Sequence, residues 1–148
     1  ADGSYVVDAS TIESLGITQD RFHAVLECEL AELKRREAAY RDGRPEPELA
    51  GRSVIVVDDG LATGASMYSA IAALRQRKPA DIAVAVPVAP VETCRMLAAV
   101  ADQVFCPHQP AYFGSVGFYY DNFRQVGDDE VRELLARAAR EKATWKVA

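Results

Sequence analysis

The chain has 148 residues, 49% of them apolar and 26% charged, and a net charge of −5. That length suits one ordinary globular domain with a core of its own. The negative balance argues against a broad nucleic-acid surface, and no apolar run approaches the ~20 residues of a membrane-spanning helix.

The opening ADGSYVVD lacks the basic residues and apolar stretch of a signal peptide. Cys28, Cys94 and Cys106 are widely spaced, no CxxC pair occurs, and only His23 and His108 could join them. A structural zinc site is therefore not expected, and the thiols read as reduced, mostly buried groups of a cytoplasmic protein.

SYVV at 4–7 is a short strand candidate, and DASTIESLG at 8–16 a short helix, with Asp8 or Ser10 to cap it and Gly16 to end it. From Thr18 the apolar residues Phe22, Val25, Leu26, Leu30, Leu33 and Tyr40 recur at helical spacing. Thr18 is the expected cap, and Gly43, Pro45 and Pro47 stop the helix. Its outer face is charged: Arg35, Arg36 and Arg41 suit either a phosphate or a solvated face of acid–base pairs at i,i+4. After a connector at 44–52, the β-branched run SVIVV (53–57) predicts a strand buried on both faces of a parallel sheet. A helix with Met67, Ile71 and Leu74 on its inner stripe follows. DIAVAVPVA (81–89) reads as a second buried strand, Pro90 opens a helix to about Ala101, and QVFC (103–106) is a third strand. Residues 107–127, rich in Pro, Gly and aromatics, read as an ordered loop with one extended piece. Asp128 caps a last helix to about Lys142, with acids early and bases late as the helix dipole prefers. The alternation from 53 to 106 predicts right-handed βαβαβ crossovers and an α/β parallel sheet. Only three core strands are visible where about 5–6 are usual, so the chain reads as the later part of a larger α/β domain.

The chemistry concentrates in VIVVDDGLATGAS. Ligands of open α/β sheets bind at the carboxyl ends of strands, where Asp58 and Asp59 stand. Each carboxylate can accept a hydrogen bond from one hydroxyl of a vicinal diol. The loop Gly60-Leu61-Ala62-Thr63-Gly64-Ala65-Ser66 leads into a helix, whose first N–H groups and dipole attract an anion. Small side chains let the backbone approach a phosphate, and Thr63 and Ser66 add hydroxyl donors. Together these describe a phosphorylated ribose, as against a plain strand–turn–helix in which the acids cap. No lysine follows Gly64, which excludes a phosphate loop of the Gly-Lys-Ser/Thr type, and no G-x-G-x-x-G is present. A phospho-acceptor receiver domain also opens with a strand ending in two acids. It would need an Asp after a later strand, where this chain has Pro90 and Pro107. His108, between prolines, reads as a loop residue rather than a base.

VIVVDDGLATGAS resembles the phosphoribosyl-diphosphate (PRPP) binding motif of type I phosphoribosyltransferases. ELKRREAAYRDGRPEPELAGRSVIVVDDGLATGASM, VAVPVAPVETC and VGFYYDNFRQVGDDEV extend the likeness over most of 18–135, towards a bacterial phosphoribosyltransferase-like subfamily of unassigned substrate. The resemblance implies one α/β domain over 1–148: a lid-like helix (18–43), the core (53–106), a base-side loop (107–127) and a C-terminal helix (128–142). It implies PRPP-dependent transfer to a nucleobase-like acceptor, with magnesium pyrophosphate leaving. Asp58 and Asp59 would hold the ribose diol and face the positive charge developing on the sugar; Ala62, Thr63, Gly64, Ala65 and Ser66 would wrap the 5′-phosphate. SVGFYYD resembles the base-side segment of purine-salvage members, which places Val116 and Phe118 near the acceptor and Asp121 near the magnesium, although ordinary core packing would also explain these aromatics. The family's earlier part, with its Arg-Gly-Gly pyrophosphate loop, does not precede Ala1. A domain lacking its N-terminal part is therefore the expectation, with a sheet edge open to another chain, and a homodimer or a fused partner domain as its partner. The alternative to an enzyme is a non-catalytic nucleotide-binding or regulatory module.

Overall fold

The computed structural model describes residues 9–144, so the strand expected at 4–7 and the Asp8 cap lie outside the described residues. In chain order the elements are α1 (Ala9–Ser14), α2 (Gln19–Arg41), β1 (Ser53–Val57), α3 (Ala65–Gln76), β2 (Asp81–Ala85), α4 (Val91–Ala98), β3 (Gln103–Phe105), a short 3-10 helix (Val116–Tyr119) and α5 (Asp128–Thr144). The chain divides into two compact units: residues up to Glu46 together with those from Arg124 onward, and Pro47–Phe123. Among the described residues no helix is long and apolar enough to cross a membrane.

The first unit is helical. Thr18 caps α2 as expected, its hydroxyl accepting the Arg21 N–H at 3.4 Å. The helix ends at Asp42, in the left-handed region at φ 50°, whose N–H reaches the Ala38 carbonyl. Phe22, Leu26 and Leu30 are half-buried, and no residue of α2 is fully buried. Helices α2 and α5 pack together through a polar hub. Asp128 accepts from Arg35 Nη1 and from Tyr40 Oη, both at 2.7 Å, while Glu32 holds both Arg35 and Arg36 at 2.7 Å. Arg41 pairs with Glu37 at 2.9 Å. The arginines that suited either a phosphate or a solvated face are thus engaged by carboxylates.

The second unit is a parallel sheet in the order β1-β2-β3. Ser53 stands opposite Asp81 and Val57 opposite Ala85; Val84 stands opposite Val104. Two successive right-handed crossovers moving the same way put α3 and α4 on one side of the sheet. There Val56, Ile82, Val84 and Val104 meet Met67, Ile71, Leu74, Cys94 and Leu97 in one core cluster. Asp102 fastens the entry of β2: its carboxylate accepts the Ile82 N–H at 2.7 Å and pairs with Arg75 at 2.8 Å. The ladder between β2 and β3 resumes at a Val88–His108 bridge.

One expectation is corrected. Strand β1 is not buried on both faces: its residues alternate between exposed and half-buried, with Ile55 at 66% and Val57 at 71% exposure. The β-branched run reports strand propensity, but burial depends on neighbours. β1 is an edge of this three-stranded sheet, both crossover helices lie on the Val54/Val56 side, and among the described residues nothing covers Ile55, Val57 and Phe105 on the other. Only β2, with Ile82, Ala83 and Val84 buried, is the enclosed strand that the pattern predicted.

Candidate functional site

The site grows from the carboxyl end of β1. Val57 is the last paired residue, and Asp58 and Asp59 follow it, both exposed. The Asp58 carboxylate accepts the Asp59 N–H at 2.9 Å, which starts the turn. No cation pairs with either carboxylate among the described residues. Partial burial, reinforced by the neighbouring Asp58 charge, holds the Asp59 carboxyl above the usual carboxylate range. An acid pair left without a counter-charge has its lone pairs free for hydroxyl groups or a hydrated cation.

The loop alternates between anchored and presented residues. Leu61, Gly64 and Met67 are buried, while Ala62, Thr63, Ala65 and Ser66 are exposed. The anchors are specific. The Leu61 N–H donates to the Val88 carbonyl at 3.0 Å, and the buried Thr93 hydroxyl, in the first turn of α4, donates to the Ala62 carbonyl at 2.7 Å. Gly64 precedes α3 at φ 75°, and a Cβ there would lie 2.8 Å from Thr93 Cγ2. Both the left-handed backbone and the missing space require glycine. Gly60 is packed as closely: a Cβ would stand 2.7 Å from Val116 Cγ1 and 2.9 Å from Val88 Cγ1.

These anchors turn the backbone of the loop toward a cavity of 160 Å³, lined by Asp58, Gly60, Ala62, Thr63, Ser66 and their neighbours. That is about five waters' share of liquid volume, room for the five heavy atoms of a phosphate group. Among the described residues the amides of Thr63, Gly64 and Ser66 have no protein acceptor. Those nearest the start of α3 carry the positive end of its dipole. Thr63 Oγ1 accepts the Ala65 N–H at 3.4 Å, which leaves its own hydrogen to donate. A helix start suited to an anion, close in the chain to two carboxylates, is an arrangement for a ligand with one anionic and one hydroxylated end.

Of the other residues singled out from the sequence, Val116 is brought to the site through its contact with Gly60. Phe118 does not enter the core: it is 82% exposed, its ring close over Gly114. Asp121 is exposed and has no ion-pair partner among the described residues. No cluster of three His, Cys, Asp or Glu side chains forms a protein metal cage among the described residues. His108 is exposed and packs its ring edge-on against Tyr119 at 5.2 Å. Two braces were not singled out from the sequence. One is Thr93; the other is Tyr120, whose Oη donates to the Asp59 carbonyl at 2.6 Å. A tyrosine beside Asp121 in GFYYD was the only signal for the second. A larger cavity of 480 Å³ lies in the helical unit, where Tyr40 donates to Asp128, Arg44 caps the end of α2 and Arg132 pairs with Asp129.

Known proteins similar to this chain point to one family. Residues 9–122 match the family model described as "Phosphoribosyl transferase domain". Two Mycobacterium tuberculosis proteins, named "Putative phosphoribosyl transferase MT0597" and "Putative phosphoribosyl transferase Rv0571c", are each 37% identical over 142 residues, covering 96% of this chain. The chain spans about a third (32%) of the length of these relatives. The crystal structure of TT1426 from Thermus thermophilus superposes with a TM-score of 0.72 at 35% identity, over 91% of this chain and 64% of that one.

Proposed function

Because this chain belongs to the phosphoribosyl transferase domain family, with the parallel α/β fold of its type I members, we propose that it binds PRPP and transfers the phosphoribosyl group to a nucleobase-like acceptor. The observation that carries this reading is the pairing, on one turn, of an uncompensated acid pair with amides that lack protein acceptors.

In this reading the amides of the loop Ala62, Thr63, Gly64, Ala65 and Ser66 bind the 5′-phosphate, with the Thr63 and Ser66 hydroxyls as further donors. Asp58 and Asp59 accept hydrogen bonds from the 2′- and 3′-hydroxyls. As pyrophosphate departs from C1′, positive charge grows on the sugar ring, and the same carboxylates stabilise it because they are already in place and need not reorganise. No protein nucleophile takes part. Val116 and Phe118 flank the acceptor; the exposed ring of Phe118 offers a flat apolar face to a base. Magnesium ordinarily binds through one or two carboxylates together with phosphate oxygens and water rather than through a protein cage. The exposed Asp121, and an acid pair without cations, fit that donor set. Magnesium bound there would neutralise the leaving pyrophosphate. A cytoplasmic setting and assembly with a second copy or a fused domain belong to the same proposal.

The test is calorimetry of the full-length protein with PRPP and magnesium, followed by a nucleobase screen that reads released pyrophosphate. Binding and turnover, both lost in Asp59→Ala, are expected. No PRPP binding overturns the proposal, and nucleotide binding without turnover on any base replaces it with a regulatory module.

A further inference from the structure

We infer that Tyr120 is a positioning residue that holds the acceptor side of the site in fixed register with the acid pair, and so governs how well a base is gripped beside a bound ribose phosphate. This rests on the phosphoribosyl reading above and adds a residue that does not itself touch the ligand.

The segment Val116–Tyr120 meets the acid turn at two points. At one end the methyl groups of Val116 press on Gly60, where a Cβ would lie 2.7 Å and 3.1 Å from them. At the other the Tyr120 phenol donates to the Asp59 carbonyl at 2.6 Å, across 61 residues of chain. Between the two, the 3-10 helix Val116–Tyr119 is closed by the Tyr120 N–H on the Gly117 carbonyl at 3.3 Å. Phe123 backs the segment, within 2.9 Å of where a Gly117 Cβ would be, and its ring lies 5.3 Å from that of Tyr120. The segment is therefore stiff within itself and joined to the acid turn by one apolar contact and one hydrogen bond.

The two sides of that joint are not equally secured. Without the phenol, the acid turn remains held by Asp58 Oδ1 on the Asp59 N–H (2.9 Å) and by Val88 on the Leu61 N–H (3.0 Å). Toward the acid turn the acceptor segment would keep only the Val116 contact, which limits approach but sets no direction; Tyr119, packed on His108 at 5.2 Å and on Phe113 at 5.7 Å, ties it to residues 108–113 instead. Removing the hydroxyl should therefore loosen the register of Phe118 and Asp121 with the acid turn while leaving the ribose and phosphate subsites intact.

Tyr120→Phe keeps the ring against Phe123 and deletes one oxygen. Calorimetry on the full-length protein would use ribose 5-phosphate and, separately, GMP, AMP, UMP and CMP. In the wild type at least one nucleotide should bind more tightly than ribose 5-phosphate. In Tyr120→Phe the ribose 5-phosphate affinity should stay within about twofold, while that nucleotide's advantage falls about five- to tenfold. Amide exchange should accelerate over 116–121 but not in α3. A parallel loss for both ligands, or no change for either, overturns the inference. Wild-type binding of ribose 5-phosphate with no preference for any nucleotide overturns it while sparing the phosphoribose subsite. A wild type that binds none of these probes overturns both.

Discussion

Asp59 carries a small cost to folding that its proposed contact with the ribose would account for. Its folded carboxyl titrates above the usual value because partial burial and the Asp58 charge both oppose ionisation. A carboxyl raised on folding favours the folded state below its unfolded pKa, and that contribution is lost as pH rises through the folded pKa. At neutral pH the charged form is thus a small burden. Asp59→Asn should raise Tm slightly, by on the order of 1 °C since the group is well solvated, while weakening ribose 5-phosphate at least tenfold. Differential scanning calorimetry and titration together check this, and a Tm that falls contradicts it. In the unmodified protein the affinity should drop as acid protonates Asp59 at a pH above the ordinary 3.8. The acid pair, the Thr-Gly loop and the Thr18 cap were legible in the sequence because each is local: a residue type, a spacing, a neighbouring helix start. The glycine at 64 was legible as a turn, but not its second reason, the Thr93 methyl that arrives from a distant helix.

At the scale of elements, the loop is shaped by α4 as well as by its own residues. Thr93 faces the Ala62 carbonyl with its hydroxyl and Gly64 with its methyl, so one side chain sets both the polar and the steric boundary of the turn. Thr93→Val preserves the shape and removes the donor. It should cost about 1 kcal/mol in urea unfolding and weaken ribose 5-phosphate several-fold, because the Ala62 peptide is released. Unchanged binding would show that the loop holds its form alone. No periodicity marks Thr93 or Tyr120, since their partners lie 31 and 61 residues away. The strand and helix order was readable, because apolar patterning dictates it; the burial of β1 was not, because which faces are covered follows from where the crossover helices lie.

Over the whole molecule, the two units are held by different physics. The sheet unit is built on an apolar cluster, while the helical unit, among the described residues, has only half-buried apolar residues and adds a network of exposed carboxylate–guanidinium pairs. Arg35 and Arg36 depress the Glu32 carboxyl from 4.5 to about 2, and Tyr40 and Arg35 lower Asp128. Carboxyls depressed on folding stabilise above their unfolded pKa values, and that contribution is lost as pH falls through the folded ones. Acidification from about pH 5 toward 2 should therefore loosen α2 and α5 before β2, and hydrogen exchange resolved by segment would reveal it. Asp102, lowered chiefly by the Ile82 N–H and then by Arg75, adds a milder acid sensitivity at the entry of β2. Simultaneous loss of protection in both units would contradict this order.

The ladder between β1 and β2 opens where the Ser53 hydroxyl meets the Asp81 carboxylate at 2.6 Å and closes at Val57 opposite Ala85, one step before the acids. Side chains along a strand point alternately up and down. The span from that serine to the turn therefore works as a measuring stick with two phases. Removing or inserting one residue within it would not merely shorten or lengthen the reach. It would roll the strand over, driving Ile55 and Val57 into the packed side and sending each aspartate to the opposite face from the one it now occupies.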